Sequence, residues 1–174
     1  MRFSETPLPG VIVIEPERFA DDRGWFARSF DRDEFAARGM NPEIVQANVS
    51  FNARAGTLRG MHYQAEPHGE SKLVRCVRGA IFDVALDLRA ARWHGIELSE
   101  ENGLALYIPA GLAHGFQTLT DASEVHYLMG DPYVPEAARG VRWDDPAFGI
   151  EWPPAPPGGR VISARDGAYP DFGS

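Results

Sequence analysis

Residues 56–64 read Gly56-Thr57-Leu58-Arg59-Gly60-Met61-His62-Tyr63-Gln64, and Lys72 follows at the start of the next apolar stretch. This segment predicts a strand, a loop and a second strand. Arg59 and His62 are three positions apart, so a regular strand would point them to opposite faces. Gly60 can bend the strand and bring both side chains into one pocket. A histidine beside fixed positive charge is typical of an enzyme that removes a proton from carbon and stabilises an oxygen anion.

Short apolar stretches separated by turns continue along the chain. The 18 glycines and 14 prolines divide it into pieces of strand length. We predict strands at 73–77, 81–89, 104–108 and 123–129. Residues 81–89 alternate, so we expect one buried face and an opposite polar face that carries Asp83 and Asp87. Many short, half-buried strands predict an all-β sandwich or jelly roll.

One short helix and a C-terminal wrap complete the predicted organisation. Asp31 can cap the helix, with Glu34 placed to complete a capping box, and Gly39 can end it. Phe35 would be the buried residue of this helix. From about residue 133 to residue 174 the chain is rich in proline and tryptophan, and we predict ordered loop and short helical turns around the barrel.

The composition bounds the class of protein. A chain of 174 residues predicts a single domain, 1–174, with a core of its own. The net charge of −8 argues against binding to nucleic acid, although local charge can still bind a small anion. We expect no membrane span and no secretion signal, because no long apolar run is present. The single cysteine, Cys76, lies in an apolar strand and predicts a core residue in a cytoplasmic protein.

An ordered series of motifs carries a resemblance to a known family. The motifs are Asp22-Arg23-Gly24-Trp25-Phe26, Gln46-Ala47-Asn48-Val49-Ser50, Leu58-Arg59-Gly60-Met61-His62-Tyr63-Gln64, Lys72-Leu73-Val74-Arg75-Cys76, Asp83-Val84-Ala85-Leu86-Asp87-Leu88-Arg89, Ile108-Pro109-Ala110-Gly111-Leu112-Ala113-His114-Gly115-Phe116, Trp143-Asp144-Asp145-Pro146 and Ser163-Ala164-Arg165-Asp166. Over about residues 5–170 the chain resembles the dTDP-4-dehydrorhamnose 3,5-epimerase family, which are sugar-nucleotide epimerases of the cupin superfamily. Each motif alone is weak, whereas the series is highly specific.

The resemblance implies a cupin-type jelly-roll barrel with an N-terminal arm and a few short helices. It implies a homodimer whose N-terminal strands exchange between subunits. It also implies an isomerase, without a cofactor, that inverts C3 and C5 of a nucleotide-diphosphate sugar, dTDP-4-keto-6-deoxyglucose, on the route to L-rhamnose. Such chemistry needs a base on one face of the sugar, an acid on the other and a cation at the ketone oxygen.

The resemblance assigns the catalytic roles to particular residues of this chain. His62 matches the base, and Asp166 matches the carboxylate that orients it and stabilises the imidazolium. Lys72 matches the group that steadies the enolate oxygen, with Arg59 nearby. Tyr127 matches the proton donor on the opposite face. Without the resemblance, a tyrosine in an apolar strand would be interpreted as a core residue.

Substrate binding is assigned by the resemblance to a second set of residues. The implied contacts to the diphosphate are Arg23, Arg59 and Arg165, the ring that stacks on the base is Tyr133, and further contacts are Gln46, Asn48 and His114. His114 follows a cupin-like turn, so a metal must be considered. Metal cupins also need a paired histidine and a downstream glutamate, and His62-Tyr63-Gln64 supplies one ligand at most. We therefore expect no metal.

The chain departs from the family pattern at its nucleotide end. Arg28 stands where a glutamate is usual, Ala138 stands at a second acidic position unless Glu136 takes that role, and the loop after Arg89 is short. These changes predict that the proton chemistry is retained while the choice of nucleotide or sugar differs. The alternatives are an epimerase acting at C3 or C5 alone, a ketoisomerase, and a cupin that binds sugar nucleotides without turnover.

Overall fold

The computed structural model describes residues 1–173, which form an all-β structure with short helices. In chain order the elements are β1 (Arg2–Glu5), β2 (Ile12–Glu15), β3 (Arg18–Asp21), β4 (Gly24–Ala27), α1 (Arg32–Ala36), β5 (Gln46–Asn52), β6 (Thr57–Gln64), β7 (Lys72–Arg78), β8 (Ala80–Asp87), β9 (Arg92–Ser99), β10 (Ala105–Ile108), β11 (Ala113–Thr118), β12 (Ser123–Met129), a 3₁₀ turn (Pro135–Ala137), β13 (Ala138–Gly140), β14 (Val161–Ile162) and α2 (Ala164–Gly167).

Two sheets face each other and enclose the interior. The first has the strand order β1-β2-β10-β7-β12-β5, and the second has the order β13-β6-β11-β8-β9, with β14 added parallel to β6. Strands β3 and β4 form a separate hairpin. The predicted all-β jelly roll of cupin type is confirmed, and the strands predicted from 73 to 129 are present.

Apolar side chains from both sheets fill one end of the barrel. Val74 and Cys76 of β7 pack there against Ile81, Ala85 and other residues of the second sheet. The Cys76 thiol is buried, as predicted, and burial raises its pKa to about 11. Because side chains alternate along a strand, residues two and four positions away share this inward direction. The same strands therefore place polar side chains at the opposite, open end.

The C-terminal segment covers the outside of the second sheet, and this corrects the prediction for β8. Val84 and Leu86 face outward and pack beneath Phe148 and neighbouring residues of that segment. Asp83, expected on a solvent face, points into the barrel and is 0% exposed. Both faces of β8 are buried because the wrap supplies a second apolar layer. Ser174, the last residue of the predicted wrap, lies outside the described residues.

The predicted helix covers part of the outside of the first sheet. The Asp31 side chain accepts hydrogen bonds from the backbone N–H groups of Asp33 and Glu34, which confirms the cap. The Glu34 side chain pairs instead with Arg38 at 3.5 Å. Phe35 is buried against the sheet. Within residues 1–173, no helix is long and apolar enough to cross a membrane.

Candidate active site

A bulge in β6 determines how the signature segment is displayed. His114 pairs with His62 and Phe116 pairs with Arg59, so β6 uses one more residue than β11 over this interval. Gly60 sits in the bulge with φ of 142°, and a Cβ there would lie 2.5 Å from the backbone of the facing strand. Only glycine fits both the torsion and the close approach. The bulge places Arg59 and His62 on the wall of one cavity.

This cavity occupies the open end of the barrel and has a volume of about 310 Å³. Strands β6 and β11 form one wall, and β5, β7 and β12 form the other. The lining residues are Asn48, Val49, Ser50, Arg59, His62, Lys72, His114, Phe116, Tyr127 and Met129. Six of the eleven residues that the sequence suggested for catalysis or for substrate binding therefore share one cavity: Asn48, Arg59, His62, Lys72, His114 and Tyr127.

The C-terminal segment brings a carboxylate to His62. β14 adds to β6 in parallel, and α2 follows it with Ser163 as its cap. This places Asp166 Oδ1 2.8 Å from His62 Nε2, while the Gly60 N–H donates to Asp166 Oδ2 at 3.4 Å. Burial lowers the pKa of His62, whereas Asp166 opposes that shift. The neutral imidazole donates its Nε2 proton to Asp166 and keeps a lone pair on Nδ1.

Tyr127 lies on the wall opposite to His62. Its hydroxyl is 3.3 Å from Ser50 Oγ, and its ring packs near the rings of His114 and Phe116. Burial raises the pKa of Tyr127 well above its ordinary value. The phenol therefore stays protonated at physiological pH and can give up a proton only to a strongly basic acceptor.

Two cations on the cavity wall have partners that the sequence interpretation missed. Lys72 Nζ pairs with Glu70 at 2.9 Å, and both side chains are nearly buried. Arg59 Nε donates to Asn52 Oδ1 at 2.8 Å. Asn52 stands four positions from Asn48 on β5, so both side chains point into the barrel. Glu70 lies in the loop before β7, where no strand period could have identified it.

His114 is held by a carboxylate as well. Its Nε2 lies 2.7 Å from Asp83 Oδ1, and the pair is buried. Within residues 1–173, Asp83 Oδ2 has no hydrogen-bond partner. The sequence interpretation missed Asp83 because alternation alone does not say which face of a doubly covered strand is polar.

The remaining predicted contacts lie outside this cavity in the described chain. Arg165 lines an adjoining hollow of about 420 Å³ that shares Arg59 and His62 with the first. Gln46 Oε1 accepts the backbone N–H of Tyr133 at 3.0 Å, and the Tyr133 ring is 53% exposed. Arg23 lies at the turn of the β3–β4 hairpin, where it pairs with the neighbouring Asp21 and is exposed.

The departures from the family pattern fall near the surface. Arg28 Nη1 pairs with Asp31 at 2.6 Å, next to the cap of α1. Ala138 begins β13, and Glu136 is exposed in the preceding turn. The shortened β8–β9 connection turns through Ala91 with φ of 47°. Within residues 1–173, no group of three or more His, Cys, Asp or Glu side chains could hold a metal ion.

Comparisons with known proteins find similar sequences along nearly the whole chain. A family model described as dTDP-4-dehydrorhamnose 3,5-epimerase matches residues 5–174. A relative of that name from Sinorhizobium fredii (strain NBRC 101917 / NGR234) is 43% identical over 177 residues, covering 99% of this chain and 90% of the relative.

Solved structures of such proteins have the same fold. The crystal structure of dTDP-4-dehydrorhamnose 3,5-epimerase from Elizabethkingia anophelis NUHP1 aligns with a TM-score of 0.93 at 36% identity, covering 99% of this chain and 96% of that one. The dTDP-6-deoxy-D-glucose-3,5-epimerase from Legionella pneumophila Philadelphia 1, in complex with dTDP-4-keto-L-rhamnose, aligns with a TM-score of 0.89 at 34% identity, covering 97% and 90%.

Proposed function

The chain belongs to the dTDP-4-dehydrorhamnose 3,5-epimerase family, and from this membership we propose that it inverts C3 and C5 of dTDP-4-keto-6-deoxyglucose. The product is dTDP-4-keto-L-rhamnose. One observation carries the proposal: His62 on β6 and Tyr127 on β12 approach a single cavity from opposite walls. An inversion by proton transfer requires this opposed pair, whereas a binding protein has no use for it.

The proton is removed by His62 in this proposal. A hydrogen on the carbon next to the ketone is weakly acidic, and the neutral imidazole has a pKa lowered by burial. As the imidazole takes up the proton, the buried Asp166 carboxylate stabilises the positive charge through the 2.8 Å hydrogen bond. Asp166 also holds the ring in one tautomer, so the basic nitrogen is available in every catalytic cycle.

The charge that develops on the ketone oxygen is stabilised by Lys72 and Arg59. Both line the same cavity as His62, and Glu70 holds the Lys72 ammonium at the wall. A fixed cation in a partly enclosed site lowers the energy of an enolate more than that of a neutral ketone. Tyr127 then delivers a proton to the carbon from the other face, which inverts the centre.

The diphosphate is assigned to the hollow next to the cavity. Arg59 borders both hollows, and Arg165 lies in the adjoining one. A guanidinium binds phosphate oxygens with two parallel N–H groups, so Arg59 and Arg165 can each hold oxygens of the diphosphate. We place the sugar between His62 and Tyr127, where Asn48 and His114 can contact its hydroxyl groups, and the base toward Gln46 and Tyr133.

We also propose a homodimer with exchanged N-terminal strands, because a large apolar surface lacks cover within residues 1–173. The exposed residues are Val49, Phe51 and Val77 on the outside of the first sheet and Phe19, Trp25 and Phe26 on the β3–β4 hairpin. Surfaces of this kind mark interfaces. Exchange would carry Arg23 toward the cavity of the second subunit. Sedimentation velocity tests this, and a monomer at micromolar concentration contradicts it.

The buried thiol of Cys76 supports a reducing compartment, and we propose that the protein works in the cytoplasm. Its proposed substrate is a nucleotide-diphosphate sugar. Fractionation of cells followed by immunoblotting tests this placement, and enrichment in an extracellular fraction contradicts it.

An NMR time course with dTDP-4-keto-6-deoxyglucose in deuterated buffer tests the proposed reaction. Deuterium is expected at C3 and at C5, together with the inverted product. Deuterium at one carbon alone indicates a single-centre epimerase, and movement of the carbonyl indicates a ketoisomerase. A substrate that binds and yet exchanges no hydrogen refutes the proposed function.

A further inference from the structure

Three hydrogen bonds join the Arg59 guanidinium to the Tyr127 phenol. Arg59 Nε donates to Asn52 Oδ1 at 2.8 Å, and Asn52 Nδ2 donates to Ser50 Oγ at 3.2 Å. Ser50 Oγ lies 3.3 Å from Tyr127 Oη. Ser50 and Asn52 alternate with the exposed Phe51 on β5, so both point into the barrel, where Asn52 is 2% exposed.

The first two bonds determine the direction of the third. A guanidinium can only donate, so the Asn52 oxygen must face Arg59 and the Asn52 nitrogen must face Ser50. Ser50 Oγ therefore accepts from Asn52 and has its own hydrogen available for Tyr127 Oη. A phenol that accepts a hydrogen bond at its oxygen keeps its own hydrogen for another acceptor. The cavity is where such an acceptor would bind.

We propose that Ser50, oriented by Asn52, is a positioning residue that directs the Tyr127 hydroxyl hydrogen toward the substrate and stabilises the oxygen after the proton has left. This inference rests on the proposed function, because it refines the acid step of the same reaction. The Ser50 hydrogen bond explains why Tyr127 donates its proton toward the cavity and not toward β5.

The step balances as a proton transfer. A C–H bond forms at the enolate carbon while the Tyr127 O–H bond breaks, and the phenolate oxygen keeps the electron pair. His62 meanwhile holds the proton taken from the substrate, and both groups return to their starting states by exchange with water. The Ser50 hydrogen bond strengthens as its acceptor becomes charged, so it stabilises the transition state more than the bound substrate.

Four variants separate this role from a structural one. Ser50→Ala removes the hydroxyl. Asn52→Asp keeps an acceptor for Arg59 but replaces the donor with an oxygen, so the Ser50 hydroxyl turns to the introduced carboxylate. The double variant combines the two changes. Ser123→Ala is the matched control, because the buried Ser123 hydroxyl contacts Thr120 and the Ala80 carbonyl, and the substitution keeps the Ser123 carbonyl that accepts from Asn52.

The expected result is a loss confined to inversion. Ser50→Ala lowers the rate of product formation about 10- to 100-fold, the factor for a hydrogen bond to a charged group. The rate of deuterium exchange catalysed by His62 changes by less than about threefold, and so does the KM. Asn52→Asp gives a similar loss, and the double variant is no slower than Ser50→Ala because both act through one hydroxyl. Equal losses of exchange and inversion, or losses that multiply in the double variant, overturn the inference.

A second measurement does not depend on turnover. Tyrosine 127 is replaced by 3-fluorotyrosine, and its ionisation is followed by ¹⁹F NMR across pH in otherwise wild-type, Ser50→Ala and Ser123→Ala protein. The Ser50 hydrogen bond lowers the pKa of Tyr127 against the larger effect of burial. Ser50→Ala therefore moves the midpoint to higher pH, and Ser123→Ala leaves it in place. An unchanged midpoint in Ser50→Ala overturns the inference. This result does not depend on whether the protein catalyses the proposed reaction.

Discussion

Replacing Asp166 with asparagine tests the support that His62 receives from its buried partner. The carboxylate accepts from two donors, His62 Nε2 at 2.8 Å and the Gly60 N–H at 3.4 Å. An amide of the same shape has one oxygen and one nitrogen, so it cannot accept from both. If the amide oxygen faces Gly60, the amide nitrogen donates to His62 Nε2. The ring proton of His62 then sits on Nδ1, and that nitrogen can no longer act as the base.

The magnitude follows from the strength of the lost hydrogen bond. A hydrogen bond between charged groups contributes about 1.5–3 kcal/mol, so Asp166→Asn should lower kcat for carbon exchange about 10- to 150-fold. Because Asp166 raises the pKa of His62 against desolvation, the acid limb of the pH–rate profile should move to lower pH in the variant. Nucleotide affinity should not fall, because Asp166 borders the hollow assigned to the diphosphate and the variant removes a negative charge from it.

Exchange of deuterium into dTDP-4-keto-6-deoxyglucose, followed by NMR from pH 5 to 9, measures these effects. Asp145→Asn serves as the matched control, because Asp145 is also buried but accepts from the backbone N–H groups of Ala147 and Phe172. A wild-type exchange rate in Asp166→Asn refutes the reasoning. An equal fall of rate and dTDP affinity would contradict the separation of catalysis from binding.

Three further predictions follow from the same site. His62→Ala should abolish turnover and leave dTDP binding by calorimetry nearly intact; a fall in affinity as large as the fall in rate contradicts the base assignment. Burial lowers the pKa of His62, so kcat/KM of the wild-type enzyme should fall only below pH 6.5, and an acid limb above 6.5 contradicts a neutral, desolvated base. Calorimetric titration with dTDP, UDP, GDP and CDP tests Arg28: weak discrimination is expected, and a clear preference for dTDP excludes an altered base site.

Strand positions were predictable from the sequence because half-buried strands alternate in polarity. The prediction for 123–129 agrees with β12, and the turn at Gly79 separates β7 from β8. The strands β1 to β5, β9, β13 and β14 were not predicted. β13 and β14 are too short to show a period, and their hydrogen bonds come from β6. The prediction for the faces of β8 was wrong because its second apolar layer comes from the distant C-terminal segment, which includes Phe148.

The candidate site was only partly predictable for a related reason. The bulge at Gly60 could be anticipated from the spacing of Arg59 and His62, and the structure has it. The position of Asp166 beside His62 depends on the parallel addition of β14, and no local pattern predicts a contact across 104 positions. Resemblance to a family supplied that pairing. The partners Glu70, Asn52 and Asp83 required the three-dimensional structure.

Proton delivery from opposite faces is the central claim, and Tyr127→Phe measures it most directly. The variant keeps the ring packing near His114 and removes only the phenol. Incubated with dTDP-4-keto-6-deoxyglucose in deuterated buffer, it should return substrate that carries deuterium with unchanged configuration, while the inverted product fails to accumulate. Inverted product formed at the wild-type rate would show that the second proton comes from elsewhere.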